Sequence, residues 1–270
     1  MKIVASLIVH NEAGKFLKPC LESLLTFADE IRAVDDGSTD GSDEMMRDLG
    51  VRVWRNEQSV FYEHEGRARQ RLLEWTMEAN PSHIVVVDGD EVVVDGHKIR
   101  EALEVPVEAP TMAQRRRGNR SHVESGVWSL NMQEVWGADE NGLRIRQDGG
   151  WKEHPVPIVF AVPRLDRATL RHWRLPDRAL ACGRVPTEVA ARSNRNHARP
   201  LTDLLHLGWS CEKDREARYQ RYVKHDGGKH HAGSHLQSIM WDNTRVRLSH
   251  RQWPASLDDA KNSLLDRINQ

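Results

Sequence analysis

The sequence has few cysteines, almost no net charge and no long hydrophobic run. Its three cysteines, Cys20, Cys182 and Cys211, are odd in number and widely spaced, which argues against a disulfide framework and for a reducing compartment. The formal net charge of −1 gives no global attraction to nucleic acid or to anionic membranes. No apolar stretch approaches the roughly 20 residues that cross a bilayer, and the N-terminal apolar run lacks a signal-peptide cleavage site. We therefore expect one soluble, cytoplasmic protein without a transmembrane segment.

The first part of the chain alternates between short apolar runs and segments with helical periodicity. The predicted strands are Ile3–Val9, Ile31–Val34, Val51–Trp54 and Ile84–Val87, and the helices between them lie around Leu17–Leu25, Met45–Leu49 and Ala68–Ala79. A strand–helix–strand order makes neighbouring strands parallel, and continuous apolar runs are typical of parallel strands buried on both faces. The sequence therefore predicts an α/β fold with a mostly parallel sheet flanked by helices.

Polar or acidic residues follow three of these predicted strands. His10-Asn11-Glu12 ends the first strand, Asp35-Asp36 the second, and Asp88-Gly89-Asp90 the fourth. Ligands of open α/β sheets collect beyond the carboxyl ends of the strands, so we expect the three turns to meet there. Two carboxylates two residues apart can share one hard divalent cation, which often keeps diphosphate oxygens as partners. The alternative is a β-hairpin, because Asp-Gly between apolar runs is a strong hairpin signal.

Taken together, four features resemble the nucleotide-sugar-binding half of a family-two glycosyltransferase with the GT-A fold. They are Asn11-Glu12, the segment Val-Asp-Asp-Gly-Ser-Thr-Asp at 34–40, the arginine-rich helix start at 67–71, and the Asp-x-Asp-Glu metal motif at 88–91. Soluble bacterial sugar transferases with this metal motif are the most similar members. The resemblance implies that residues 1–104 bind the donor and that 105–270 form the acceptor-binding half, a C-terminal extension. It implies a metal-dependent, inverting transfer of a sugar to an acceptor hydroxyl.

The resemblance also implies the roles of individual residues. The donor, expected to be a UDP-sugar, would contact a set of residues from both halves: Ile8, Asn11, Glu12, Asp36, Arg69, Asp88 and Lys229. Asp36 would accept a hydrogen bond from the nucleobase, and Arg69 would lie near the pyrophosphate. Mn²⁺ or Mg²⁺ would be held by Asp88, Asp90 and His206, and would neutralise the charge that develops on the leaving diphosphate. Otherwise Asp36 is a turn cap, Arg69 forms a surface ion pair, and His206 is a hydrogen-bonded core residue.

The general base is sought in the second half, which resembles the family less closely. An inverting displacement needs a carboxylate that takes the proton of the acceptor hydroxyl. Related enzymes carry a His-Glu pair after an arginine-containing strand; here the arginine-containing segment 144–146 precedes Glu153, and Lys152 stands where histidine is expected. We therefore predict Glu153 as the base, with Trp151 as an apolar wall for a sugar. Asp148 is the second candidate, and an exposed turn is the alternative for both.

Two polar segments of the second half have open interpretations. The basic cluster Arg115–Arg120 is a solvated loop, or it contacts a phosphate or an acidic acceptor. The glycine- and histidine-rich segment His225–His235 is an exposed connector, or it is a lid that brings Lys229 to the donor diphosphate.

Two other classes of protein fit part of the pattern. A nucleotidyltransferase acting on a sugar phosphate would carry a glycine-rich basic loop after the first strand, but Ala13-Gly14-Lys15 offers one glycine and one lysine. A non-catalytic glycan- or nucleic-acid-binding protein is the other alternative; the net charge argues against nucleic acid, although Arg115–Arg120 leaves a DNA acceptor open. The acceptor itself is left open among a saccharide, a lipid-linked glycan, a protein hydroxyl and a modified nucleobase.

Overall fold

The computed structural model describes residues 1–105, 126–162, 174–175, 183–187, 189, 199–226, 237–241 and 244–269. Its strands are β1 Ile3–Val9, β2 Glu30–Asp35, β3 Arg52–Arg55, β4 His83–Val86, β5 Glu91–Val93, β6 Val127–Asp139, β7 Gly142–Arg146, β8 His154–Ala161, β9 Asp203–His206 and β10 Leu248–Arg251. Its α-helices are α1 Leu17–Leu25, α2 Ser42–Asp48, α3 Glu65–Met77, α4 Gly96–Glu104, α5 Glu212–Asp226 and α6 Lys261–Ile268. The α/β fold class predicted from the sequence is confirmed.

The strands of the first half form the parallel part of one sheet. β1 lies between β2 and β4, and β3 pairs with the outer edge of β2, all in parallel. Alternate residues of β4 enter different cores: Val85 packs with the apolar face of α1, whereas Ile84 and Val86 pack with Leu73 of α3. Because side chains alternate across a strand, the sheet carries helices on both faces.

The second half extends the same sheet, mainly with antiparallel strands. β8 lies between β4 and β6 and is antiparallel to both, while β7 and β10 continue the sheet beyond β6. β9 runs parallel to β6 and pairs on its other side with the short β5. This last pairing is important for the site, because it places the residues after β4 beside the end of β9.

A second, smaller core in the C-terminal half is built on tryptophans. Trp136, Trp151 and Trp209 are buried and meet edge to face, with ring centroids 5.1–5.4 Å apart. The fully buried guanidinium of Arg146 lies over Trp136 at 4.3 Å, and its fork binds the Asp148 carboxylate at 2.8 and 2.9 Å. Trp151 is therefore part of a core, and the prediction that it forms a wall for a sugar is wrong in this structure.

The C-terminal helix, the hydropathy of the helices and the state of the cysteines complete the description of the fold. The C-terminal helix α6 is amphipathic and buries Leu264 and Ile268. Within the described ranges, no helix combines the length and apolar character needed to cross a membrane. Cys20 and Cys211 are buried free thiols, and Cys182 lies outside the described residues.

Candidate functional site

The three predicted turns lie together at the carboxyl ends of β1, β2 and β4. Val9 is the register partner of Asp35, and the Asp36 amide donates to the Val9 carbonyl over 2.8 Å. A Cβ atom built on Gly89 would lie 3.6 Å from Val9 and 3.7 Å from Glu12, so the third turn packs directly against the first. The sheet thus gathers carboxylates from three separate turns at one edge.

The Asp36 carboxylate is fully buried and holds the segment that precedes α3. One oxygen accepts from Asn56 Nδ2 at 2.8 Å and the Val60 amide at 2.9 Å. The other accepts from Ser59 Oγ at 2.5 Å and the Phe61 amide at 2.9 Å. Both oxygens of the Asp36 carboxylate therefore accept hydrogen bonds from within the protein. The two roles expected from the sequence, a nucleobase contact and a turn cap, do not include these four hydrogen bonds.

The turn after β1 is shaped by Asn11. Its backbone adopts a left-handed conformation with φ of 55°, and its Oδ1 accepts from the Thr39 amide at 2.8 Å, which locks this turn to the one after β2. Ile8, two residues before His10 on β1, is half-buried. Glu12 pairs with Lys15 at 3.0 Å through one oxygen, while its Oε2 is buried and has no hydrogen-bond partner among the described residues.

The acidic turn after β4 is neutralised by arginines. Asp88 binds Arg69 from α3 at 3.2 Å and Arg184 at 3.0 Å. Arg184 also reaches the fully buried Glu91 at 2.5 Å, and Arg69 pairs with Glu65 at 2.8 Å. Burial alone would raise the pKa of Asp88, but the two guanidinium groups lower it below its usual value. Arg69 is thus a buried residue of the site, not a helix-surface ion pair.

Asp90 and His206 meet where β5 pairs with β9. The Leu207 amide donates to the Asp90 carbonyl at 2.9 Å, and His206 Nε2 lies 3.5 Å from Asp90 Oδ2. The other ring nitrogen, Nδ1, lies 2.7 Å from Glu134 Oε2 on β6. Although burial opposes a charged imidazole, the Glu134 and Asp90 carboxylates raise the pKa of His206 well above its usual value.

Arg218 of α5 completes this cluster. Its Nη2 donates to Asp90 Oδ2, and its guanidinium lies 5.0 Å from the Trp209 ring centre. Burial alone would raise the pKa of Asp90, but Arg218 and His206 hold it well below its usual range. Gly208 makes this contact possible, because a Cβ atom there would collide with both the Asp90 carboxylate and the Arg218 guanidinium.

A cavity of about 300 Å³ is lined in part by Arg218, the residue that binds Asp90. Its lining combines basic side chains from the first turn and α5 with an aromatic pair and two carboxylates, Glu12 and Asp214; the lining residues used below are His10, Glu12, Lys15, Tyr62, Arg218 and Arg221. His10 and Tyr62 meet edge to face with ring centroids 5.0 Å apart. Burial and the neighbouring Asp90 carboxylate raise the pKa of Glu12 to about 7. The cavity therefore offers positive charge and ring surface next to an acidic turn.

The donor atoms at this edge fit a divalent cation, although they are not arranged as a formed metal site. Within the described part of the chain, no group of three or more His, Cys, Asp or Glu side chains is disposed to hold a metal ion. Arginines bind the Asp88 and Asp90 oxygens instead. Two carboxylates and an imidazole nonetheless suit Mn²⁺ or Mg²⁺, and His206 is oriented by Glu134 as metal-binding histidines commonly are.

Glu153, the predicted base, lies on the opposite face of the sheet from Asp90. It is exposed, and its Oε2 accepts from Asn131 Nδ2 at 3.4 Å and Gln133 Nε2 at 3.3 Å. Glu134, which holds His206, is the next residue on β6 and so points to the other face. The structure therefore does not bring Glu153 together with Asp88, Asp90 and His206.

The surroundings of Glu153 form a separate cleft of about 1230 Å³. Asp203 on its wall binds Arg251 at 2.6 Å and Asn131 at 2.9 Å. Asp148, the second candidate for the base, is engaged by Arg146, and this interaction lowers its pKa despite the opposing effect of burial. Lys229, the cluster Arg115–Arg120 and most of the predicted lid 225–235 lie outside the described residues.

Sequence reasoning missed Arg184, Arg218 and Glu134, which contact the predicted metal ligands. Buried carboxylates signal that counter-charges are needed, because an unpaired buried charge is costly. The buried carboxylates therefore predict that some cationic side chains lie at the site. Nothing in the sequence identifies Arg184 and Arg218 among the 39 lysines and arginines.

Comparisons with known proteins point to one family. The model of a family described as Glycosyl transferase family 2 matches residues 6–161. Over 100 residues the chain is 34% identical to Glycosyltransferase GlyG of Streptococcus pneumoniae serotype 4, a match that covers 34% of this chain and 31% of that protein. The matched region thus spans less than a third of the length of this curated relative.

Solved structures show weaker likenesses. Glucosyl-3-phosphoglycerate synthase from Mycobacterium tuberculosis, in complex with Mn²⁺, UDP and glucosyl-3-phosphoglycerate, is 14% identical over 94% of this chain and 87% of that chain, with a TM-score of 0.42. 4-Diphosphocytidyl-2C-methyl-D-erythritol synthase is 18% identical over 75% and 89%, with a TM-score of 0.38. At these scores the structural likenesses carry no argument about function.

Proposed function

The chain belongs to glycosyl transferase family 2, and we propose that it transfers a sugar from a nucleoside-diphosphate sugar to an acceptor hydroxyl with inversion, assisted by a divalent cation. The observation that carries this proposal is the meeting of Asp90 with His206 at the carboxyl edge of the sheet, 3.5 Å apart and beside a basic cavity. A cation needs the carboxylates and imidazole, and a diphosphate needs the basic side chains. The Asp90–His206 pair meets the first requirement, and the adjoining cavity meets the second.

The cation would be held by Asp88, Asp90 and His206. When bound, Mn²⁺ or Mg²⁺ would neutralise the negative charge that grows on the diphosphate as the sugar leaves. The nucleotide expected from the sequence is UDP, so UDP-sugars with Mn²⁺ are the first ligands to test.

The protein's own residues would position the donor. Lys15 and Arg221 line the cavity beside Asp90 and offer cationic hydrogen-bond donors to phosphate oxygens. The His10–Tyr62 pair offers ring surface against which a nucleobase can pack. Asp36 supports this arrangement by accepting hydrogen bonds from the Ser59 hydroxyl and the Phe61 amide, so it would act on the nucleobase indirectly, through the segment that precedes Tyr62.

Of the two candidates for the general base, Glu153 is the better proton acceptor, although it lies on the opposite face of the sheet from Asp90. Asp148 is bound by the Arg146 fork, which stabilises its charged form and makes it a poor proton acceptor. Glu153 is accessible and lines a large cleft in which an acceptor could lie. Sugar transfer by Glu153→Gln tests this assignment.

A donor screen tests the proposed function. The protein is heated with a panel of nucleoside-diphosphate sugars, each with and without Mn²⁺, and its unfolding temperature is recorded. A ligand at about 100 times its dissociation constant stabilises the folded state by ~2.7 kcal/mol. We expect a UDP-sugar to raise the unfolding temperature in the presence of Mn²⁺. If no nucleotide sugar stabilises the protein with either Mn²⁺ or Mg²⁺, the proposal is refuted.

A further inference from the structure

Arg218 binds the oxygen of Asp90 that faces His206. Its Nη2 donates to Asp90 Oδ2, and the same Oδ2 lies 3.5 Å from His206 Nε2. The proposed function assigns this same carboxylate and imidazole to the metal. The guanidinium therefore stands on the edge of the position that the proposed function assigns to the metal.

We propose that Arg218 acts as a resident counter-ion that a divalent cation must displace, and that the displaced guanidinium then binds the donor diphosphate. The inference rests on the proposed function and adds a regulatory step to it. Two cations cannot share one carboxylate oxygen at close range without strong repulsion in a mostly buried site. Asp90 is only 5% exposed, so solvent does little to screen that repulsion.

The place to which Arg218 would move is present in the structure. Its side chain already lines the cavity of about 300 Å³ that also contains Lys15 and Arg221. An arginine fork matches two phosphate oxygens at once, so the guanidinium can exchange one carboxylate for a diphosphate within the same cavity.

This exchange links metal binding to nucleotide binding. A metal that binds alone must expel Arg218 from Asp90 without offering it a new anion, so its affinity is reduced. When a nucleoside diphosphate is present, the expelled guanidinium binds its phosphate oxygens, and this new interaction offsets the loss of the Arg218–Asp90 ion pair. By thermodynamic reciprocity, the metal raises nucleotide affinity by the same factor by which the nucleotide raises metal affinity. The site would thus remain free of metal until the donor arrives.

Arg218→Gln tests the competition, with Mn²⁺ alone as the probe and electron paramagnetic resonance of free Mn²⁺ as the readout. Hydrogen bonds to charged groups are worth roughly one to two factors of ten in affinity, so the variant should bind Mn²⁺ alone at least ~10-fold more tightly than the natural protein. Arg251→Gln is the matched control, because Arg251 also pairs with an aspartate, Asp203 at 2.6 Å, but on the other face of the sheet from Asp90. Its Mn²⁺ affinity should stay within about twofold.

The second readout is calorimetric binding of UDP in the presence of Mn²⁺. Here Arg218→Gln should weaken UDP at least ~10-fold, because the diphosphate loses its arginine fork. Unchanged Mn²⁺ affinity in this variant, with normal metal-dependent UDP binding by the natural protein, overturns the inference and leaves the proposed function standing. Failure of the natural protein to bind Mn²⁺ even with UDP overturns both.

Arg218→Lys guards against a variant that does not fold. It keeps the positive charge, so Mn²⁺ alone should bind within about threefold of the natural protein, whereas UDP with Mn²⁺ should weaken because lysine cannot form a fork. If Arg218→Lys binds Mn²⁺ alone as tightly as the predicted glutamine variant, charge competition is wrong. Far-UV circular dichroism of each variant establishes that it is folded.

Discussion

Replacing Asp90 with asparagine should abolish metal binding while the protein still folds. The carboxylate is buried and is bound by Arg218 and His206, so the neutral amide loses two charge-assisted contacts. Each such contact contributes about 1.5–3 kcal/mol, but the amide oxygen still accepts a hydrogen bond, and we expect a net loss of ~1–3 kcal/mol. For a chain of this size, that corresponds to a fall of about 2–12 °C in unfolding temperature without metal.

The response to ligand is the decisive part of this prediction. The natural protein with saturating Mn²⁺ and UDP should gain ~2.7 kcal/mol at about 100 times the dissociation constant, or roughly 5–10 °C. Asp90→Asn should gain almost nothing, because the amide lacks the charge that a divalent cation requires. Asp203→Asn is the control: Asp203 also pairs with an arginine, at 2.6 Å, but on the other face of the sheet. Differential scanning fluorimetry measures both. A ligand shift of natural size in Asp90→Asn would refute the reasoning.

Three further substitutions test neighbouring parts of the account. His206→Ala should weaken Mn²⁺ binding measured calorimetrically with UDP, but less than Asp90→Asn does; unfolding without a specific metal effect would make His206 a core residue only. Gly208→Ala should place a methyl group where the Asp90 carboxylate and Arg218 lie. It should weaken metal-dependent UDP binding at least ~10-fold while the protein still folds. Unchanged binding would show that Asp90 and Arg218 move aside freely. Glu153→Gln should bind UDP and Mn²⁺ normally while transfer falls ~10²–10⁴-fold, the usual worth of a positioned base; near-normal transfer would assign the base elsewhere.

The local parts of the site were predictable from the sequence. Asp36 and Asp88 follow apolar runs whose length and flanking helices predict parallel strands, and the carboxyl ends of such strands share one edge. The structure places both turns at that edge, with Asn11 joining the first turn to the second through its hydrogen bond to Thr39. These features depend on short stretches of chain, so periodicity and turn chemistry are sufficient to predict them.

The long-range contacts were not predictable in the same way. Arg218 is 128 residues from Asp90 in sequence, and Arg184 is 93 residues from Glu91. Burying carboxylates requires cationic partners, but which arginines supply them depends on how α5 and the segment around 184 pack. The pairing of β5 with β9 is of the same kind, because its register sets His206 opposite Glu91. His206 was suggested by family resemblance and not by any local pattern.

The face of the sheet on which Glu153 lies also depends on register. Met132 pairs with His154, so Glu153 comes beside Gln133 and shares its face, whereas Glu134 points to the other. A shift of one residue in this pairing would exchange the faces. The sequence shows a glutamate after two glycines and a tryptophan, and that pattern is the same for either register.

Product analysis tests the central claim most directly. The protein is incubated with the stabilising nucleoside-diphosphate sugar and Mn²⁺, and the released phosphate compounds are separated and identified. We predict free nucleoside diphosphate and free or transferred sugar, formed only with a divalent cation and lost in Asp90→Asn. Release of pyrophosphate would instead indicate nucleotidyl transfer. Binding of the donor without turnover, whichever acceptor is added, would indicate a non-catalytic protein. Either result would contradict the account.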